Sequence, residues 1–105
     1  MEGNENTVDT ISKEHLDKYF SITNEALEMV KSHEMDADRL ENATDFLDMA
    51  QRYYNDATHF KEQGNRVLAL SALNYAHGWL DAGARIGLFK VNDSRLFTVD
   101  EKSKD

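Results

Sequence analysis

The 105-residue chain has no cysteine and no proline, and its 20 acidic and 12 basic residues give a net charge of -8 at pH 7. Without cysteine there are no disulfides, no thiolate metal ligands and no cysteine nucleophile. The longest apolar run, Val67–Leu80, is broken by Ser71, Asn74 and His77 and is too short to span a bilayer.

The charge is unevenly placed. Residues 1–60 carry 14 acids and 5 bases, and residues 61–105 carry 6 acids and 7 bases. A phosphate backbone is repelled by the first part and finds no basic block in the second, which disfavours nucleic acid. A protein partner, either another chain or a second copy in a homodimer, suits this pattern better. The opening MEGNENTVDT is polar and acidic, unlike a signal peptide. Together these features predict a cytoplasmic protein that does not enter membranes.

Apolar residues recur at helical spacing throughout. They predict an all-α fold, a short antiparallel bundle of three main helices with an irregular or partly extended C-terminal tail. The expected organisation is a flexible lead at 1–9, a helical domain at 10–89 and a tail at 90–105 that packs on the bundle or on a partner.

The first helix is expected to start at Thr10 or Ser12, whose hydroxyls can cap free amides, and to close at Lys31-Ser32-His33. Leu16, Tyr19, Phe20, Thr23, Leu27 and Val30 form its inward face. The second helix starts at Asp36 or Asp38, with Asp38 and Glu41 spaced as a capping box. Its heptad-like stripe is Leu40, Ala43, Leu47, Ala50, Tyr54 and Ala57, with Glu41, Asp45, Asp48 and Arg52 outward. Gly64 and Asn65 predict a tight corner and a new helix cap.

The third helix is expected over 66–89 and is the most apolar. One stripe is Leu68, Ala72, Tyr75, Trp79, Ala82 and Ile86; a second is Ala69, Leu73, Ala76, Leu80 and Gly83. Two adjacent stripes make an apolar arc too wide for one packing seam. Such a helix is either central in its bundle or shared with another chain. Ala72, Ala76, Gly83 and Gly87 permit close backbone approach. Beyond Phe89, Arg95–Val99 has β propensity but cannot form a sheet alone.

The opposite edge of the third helix is polar. Asn74, His77, Asp81 and Arg85 follow at three- and four-residue steps and share a side. An aspartate can orient an imidazole for proton transfer, and an arginine can bind a phosphate or carboxylate. Tyr53, flanking the core stripe of the second helix, is within reach to add a hydroxyl. These five residues are the candidates for contact with a ligand or partner, and they underlie an alternative reading as a small hydrolase or anion-binding protein. The more ordinary role of such a ladder is to solvate the polar edge of an apolar helix. No catalytic residue is assigned. Trp79, the only tryptophan, is the interface candidate, since tryptophan anchors both cores and interfaces.

Arg52 and His59 fit the loose arginine–histidine spacing of HEPN ribonucleases, but Asp45, Asp48 and Asp56 nearby oppose an RNA strand. No Glu-x-x-His, HExxH, calcium-loop or glycine-rich phosphate motif occurs, so neither a metal nor a cofactor is expected. A non-enzymatic interaction module, self-associating through helix 66–89, is therefore the leading expectation.

The run Tyr75-Ala-His-Gly-Trp-Leu-Asp-Ala-Gly83, followed by Arg85-Ile-Gly-Leu-Phe89, resembles the DUF357 family, small archaeal helical proteins of unknown function. Tyr53-Tyr54, Asp56-Ala57, Phe60, Gly64, Ala69-Leu70 and Leu73 extend the likeness. The resemblance implies a compact helical bundle of archaeal, cytoplasmic origin and carries over no catalytic residue.

Overall fold

In a computed structural model that describes residues 11–97, the described residues form three α-helices: α1 (Lys13–Ser32), α2 (Leu40–Glu62) and α3 (Arg66–Arg85). A single 3-10 turn, Ala37–Arg39, precedes α2. The lead at 1–9, Thr10 and the tail from residue 98 onward lie outside the described residues.

Ser12 begins α1 as expected, its Oγ accepting the His15 N–H at 3.0 Å. At the other end the Met29 carbonyl accepts from both the Ser32 hydroxyl and the His33 ring. Leu16, Phe20, Thr23, Ala26, Leu27 and Val30 are buried. Tyr19, expected inward, stands at the edge of this face and is 37% exposed. Lys61 reaches Asp17 at 2.9 Å and ties the end of α2 to the start of α1.

The capping box expected at Asp38 and Glu41 does not form. Asp36 starts the 3-10 turn instead, with one carboxylate oxygen on the Asp38 N–H and the other on the Arg39 Nε. Asp38 therefore lies inside a turn, and α2 begins behind Arg39 with no side-chain cap. The Arg39 guanidinium also donates to the Ile86 carbonyl at 2.9 Å, satisfying an acceptor left open at the end of α3.

On α2 the heptad stripe is real but uneven. Ala43, Ala50 and Ala57 are fully buried, Leu47 and Tyr54 are half-buried, and Leu40 is 53% exposed because it sits at the helix start. The matching stripe of α3 is Ala69, Leu73, Ala76, Leu80 and Gly83, all buried. Small residues thus face each other where α2 meets α3, the most extensive helix contact in the molecule. The corner between them is built as its sequence predicts. Gly64 takes φ +80°, and the Asn65 side chain accepts the Leu68 N–H.

The third helix is shorter than expected and ends at Arg85 rather than Phe89. Gly87, read as a close-packing residue within the helix, instead has φ +84°. The Gly87 N–H bonds to the Ala84 carbonyl and the Leu88 N–H to the Gly83 carbonyl, the two bonds of a Schellman stop. The chain then reverses. Leu88, Phe89, Val91, Leu96 and Phe97 are all buried, so this segment is a strap that completes the core. Its backbone pairs briefly with the turn before α2, through Asp36 N–H to Leu88 O and Lys90 N–H to Glu34 O, flanking an antiparallel bridge between Met35 and Phe89. No strand forms among the described residues. The β-prone segment at 95–97 packs as a turn held by the Asp93 carbonyl, which accepts from Leu96 and Phe97.

Gly83 and Gly78 are both inside α3 but have opposite surroundings. A Cβ on Gly83 would overlap the Phe89 ring, whereas a Cβ on Gly78 would meet nothing within 4 Å. Gly83→Ala is expected to lower stability by about 1–3 kcal/mol through overpacking. Gly78→Ala is expected to raise it by roughly 0.5–1 kcal/mol through helix propensity. Urea denaturation of the two variants should move in opposite directions; equal shifts would disprove this placement of Phe89.

Candidate functional site

Two concave features flank the exposed crest of α3. Asn74 and Gly78 stand on that crest and line both.

The first is a polar cleft of about 420 Å³ between α1, α3 and the strap. Asn74, His77 and Asp81 of α3 form one wall, as their spacing predicts. Tyr19, Ile22 and the buried Thr23 of α1 form the other, and Arg95 of the strap closes one side. The His77 Nε2 donates to the Leu96 carbonyl. A carbonyl only accepts, so this bond places a proton on Nε2 and leaves Nδ1 as the lone-pair nitrogen of the neutral ring. Asp81 Oδ1 is 3.9 Å from the same Nε2. The imidazole is therefore first a clamp on the strap, backed by a carboxylate. Its Nε2 is not open to take a proton from a substrate.

Arg95 could not be picked out from the sequence, because it contacts a helix seventy residues away. It grips Glu25 with both terminal nitrogens, at 3.3 and 2.7 Å, and also reaches Asp93. The guanidinium holds the Glu25 carboxyl below its ordinary titration range.

The other two candidates lie elsewhere. Arg85 is exposed at the end of α3 and does not line the cleft. Tyr53 is half-buried and stacks on Tyr75, with ring centroids 5.2 Å apart. Through Tyr75 it adjoins, without lining, the second feature, an apolar groove of about 410 Å³ lined by Phe46 of α2 and by Tyr75, Trp79 and Ala82 of α3. Phe46 and Trp79 meet edge to face at 5.0 Å. Contacts of this kind contribute about 0.5–1.5 kcal/mol beyond burial and hold both rings in place.

The first apolar stripe of α3 runs along this groove and is mostly outside the core. Leu68 is 43%, Tyr75 63% and Ile86 52% exposed, and Trp79 is half-buried. The wide arc thus divides into a core stripe and an exposed one. Arg52 pairs with Asp48 at 3.0 Å, and His59 lies beside Phe60, both exposed on the outer side of α2. No group of three or more metal-binding side chains gathers among the described residues, and no described helix is long and apolar enough to cross a membrane.

A three-helix bundle closed by a return strap, with one polar cleft and one aromatic groove, places the chain among small all-α proteins. It belongs to the DUF357 family, whose model, described as a protein of unknown function, matches residues 18–89. That span runs from within α1 to the Phe89 that closes on Gly83. No curated protein and no solved structure matches the chain.

The depressed Glu25 favours the folded state above the ordinary carboxylate range, and this contribution disappears as pH falls through its lowered folded value. Arg95→Ala should return the Glu25 titration midpoint upward to that of an ordinary glutamate, followed by NMR. It should also quicken amide exchange over residues 88–97 while sparing α2. An unmoved Glu25 midpoint would remove Arg95 from the clamp.

Proposed function

We propose that this protein is a non-enzymatic interaction module that docks a protein partner on the outer face of the α2–α3 hairpin. The observation that carries the reading is the exposed stripe of Leu68, Tyr75 and Ile86 beside the Phe46–Trp79 groove. Isolated apolar residues on a surface mean little, but a contiguous row with an aromatic floor is costly to leave in water. Tyrosine and tryptophan are also the side chains that most often anchor interfaces. The acidic outer side of α2 disfavours nucleic acid as the partner. A second copy of the chain and a different protein both fit this reading, and a cytoplasmic setting suits a chain without cysteine.

The alternative, a ligand-binding protein or hydrolase, has the polar cleft as its support. It rests on Asn74, His77 and Asp81 and is weakened because His77 is committed to the strap and Arg95 to Glu25 of α1.

A photoreactive residue at position 75, expressed in the source organism, should yield a discrete protein adduct. The same residue at Thr44, exposed on another side of α2, should not. Absence of any adduct from position 75 would count against the docking face.

A further inference from the structure

The polar cleft between α1, α3 and the strap is a second surface, separate from the docking face. We infer that it binds a primary ammonium group, carried on a small amine or on a lysine side chain. Its walls have spent their strong donors and kept their acceptors.

The His77 Nε2–H is given to the Leu96 carbonyl. The Arg95 guanidinium, which closes one side, gives its terminal N–H groups to both Glu25 oxygens and to Asp93. One cation against two carboxylates leaves that side net negative. Asp81 adds a further carboxylate on the α3 wall, and Arg85 lies outside the cleft. An anion therefore meets neither an open guanidinium nor a positive field there.

Thr23 is the residue that points to a ligand. It is 2% exposed, yet it lines the cleft. A helical threonine commonly bonds back to the carbonyl four residues earlier, as Thr58 does to Tyr54. The Thr23 hydroxyl makes no such bond, nor any other among the described residues, and its oxygen is not sealed into the core. The small part of Thr23 that is open thus presents an unpartnered hydroxyl to the cleft. Burying a hydroxyl without a partner is costly, and an outside donor recovers that cost.

The neighbours offer the same kind of group. His77 keeps the lone pair of Nδ1, and the exposed Asn74 amide brings a carbonyl. A primary ammonium has three N–H donors and no acceptor, so it complements this set. Tyr19 and Ile22 on the α1 wall give cover to the apolar chain that carries it. A volume of about 420 Å³ suits a small organic ligand. A metal ion is the poorer cation, because no group of three or more metal-binding side chains gathers among the described residues.

The test titrates the isotope-labelled protein with pentylamine, pentan-1-ol and pentanoate, which share one carbon chain and differ in the head. Pentylamine is expected to shift the NMR signals of the Thr23 methyl and of the His77 and Gly78 amides in a saturable way. Pentanol should bind roughly tenfold more weakly, the worth of one hydrogen bond to a charged group, and pentanoate more weakly still. Thr23→Val should weaken pentylamine by a similar factor while leaving the fold as stable or more so, since a methyl replaces an unpaired hydroxyl. A merely structural threonine would lose stability on that change and leave binding untouched. Asp81→Asn should also weaken pentylamine, and it takes the place of Thr23→Val if that variant does not fold. Arg85→Ala should leave binding unchanged. A blocked lysine, Nα-acetyl-lysine methylamide, separates the two carriers. Tighter binding than pentylamine supports a lysine on another chain, and weaker binding supports a free amine. Equal binding by pentanoate, or pentylamine binding that Thr23→Val leaves unchanged in a folded protein, overturns the inference. Shifts confined to Glu41, Asp45 and Asp48 on α2, or no saturable shift at all, overturn it as well. None of these outcomes bears on the position-75 adduct, so the docking face and the ammonium site stand or fall separately.

Discussion

The reversal at Gly87 is the constraint from which the rest of the molecule follows. A positive φ at that residue stops α3 and sends Leu88 and Phe89 back under it. Phe89 lies where a side chain on Gly83 would be, so the two residues define one contact. The strap beyond it supplies Val91, Leu96 and Phe97 to the core shared by α1, α2 and α3. Three helices alone would leave that end of the bundle open to water. The polar cleft is a product of the same reversal, since Arg95 and the Leu96 carbonyl come from the strap and meet α1 and His77.

A second consequence comes from side-chain size. Ala43, Ala50 and Ala57 of α2 face a stripe of α3 rich in alanine and glycine. Small residues let two helices pack closely, and a close seam has no room for aromatic rings between the backbones. Phe46, Tyr53, Tyr75 and Trp79 therefore stand along its edge, where they stack on one another and remain partly exposed. The aromatic groove is thus the complement of a tightly packed hairpin. α1 covers the other side of that hairpin through Leu16, Phe20, Leu27 and Val30, and no described element covers the groove.

The ionic contacts serve mainly to hold the elements together. Asp17 joins α1 to Lys61, Arg39 joins the 3-10 turn to the end of α3, and Glu25 joins α1 to the strap. Each is solvent-accessible, so each adds geometry more than free energy. The remaining acids of α2 are outside these links, and Glu41, Asp45 and Asp48 gather on its outer side around Leu40 and Thr44. His77 shows the same economy: the most reactive side chain in the cleft is used as a clamp.

Much of this was legible locally. Ser12, Asn65, Gly64 and the three- and four-residue spacing of apolar side chains act within a turn or two of their own backbone, so the three helices and the corner between α2 and α3 could be read directly. The same spacing correctly put Asn74, His77 and Asp81 on one side of α3. It could not say which of the two α3 stripes would be core, because both are equally apolar. Packing against the alanines of α2 and the face of α1 chose Ala69, Leu73, Ala76, Leu80 and Gly83 and left Leu68, Tyr75 and Ile86 outside. Nor could local pattern stop α3 at Arg85, since a glycine within an apolar helix reads equally as a packing residue or as a stop. The strap decided that, because Phe89 needs the space over Gly83. Arg95 was invisible for the same reason: its partner Glu25 is near only after the chain has turned back. The sequence by itself determined the helices and their polar and apolar faces; the fold decided which apolar face stays exposed and which distant residues enclose the cleft, because both depend on contacts between segments far apart in the chain.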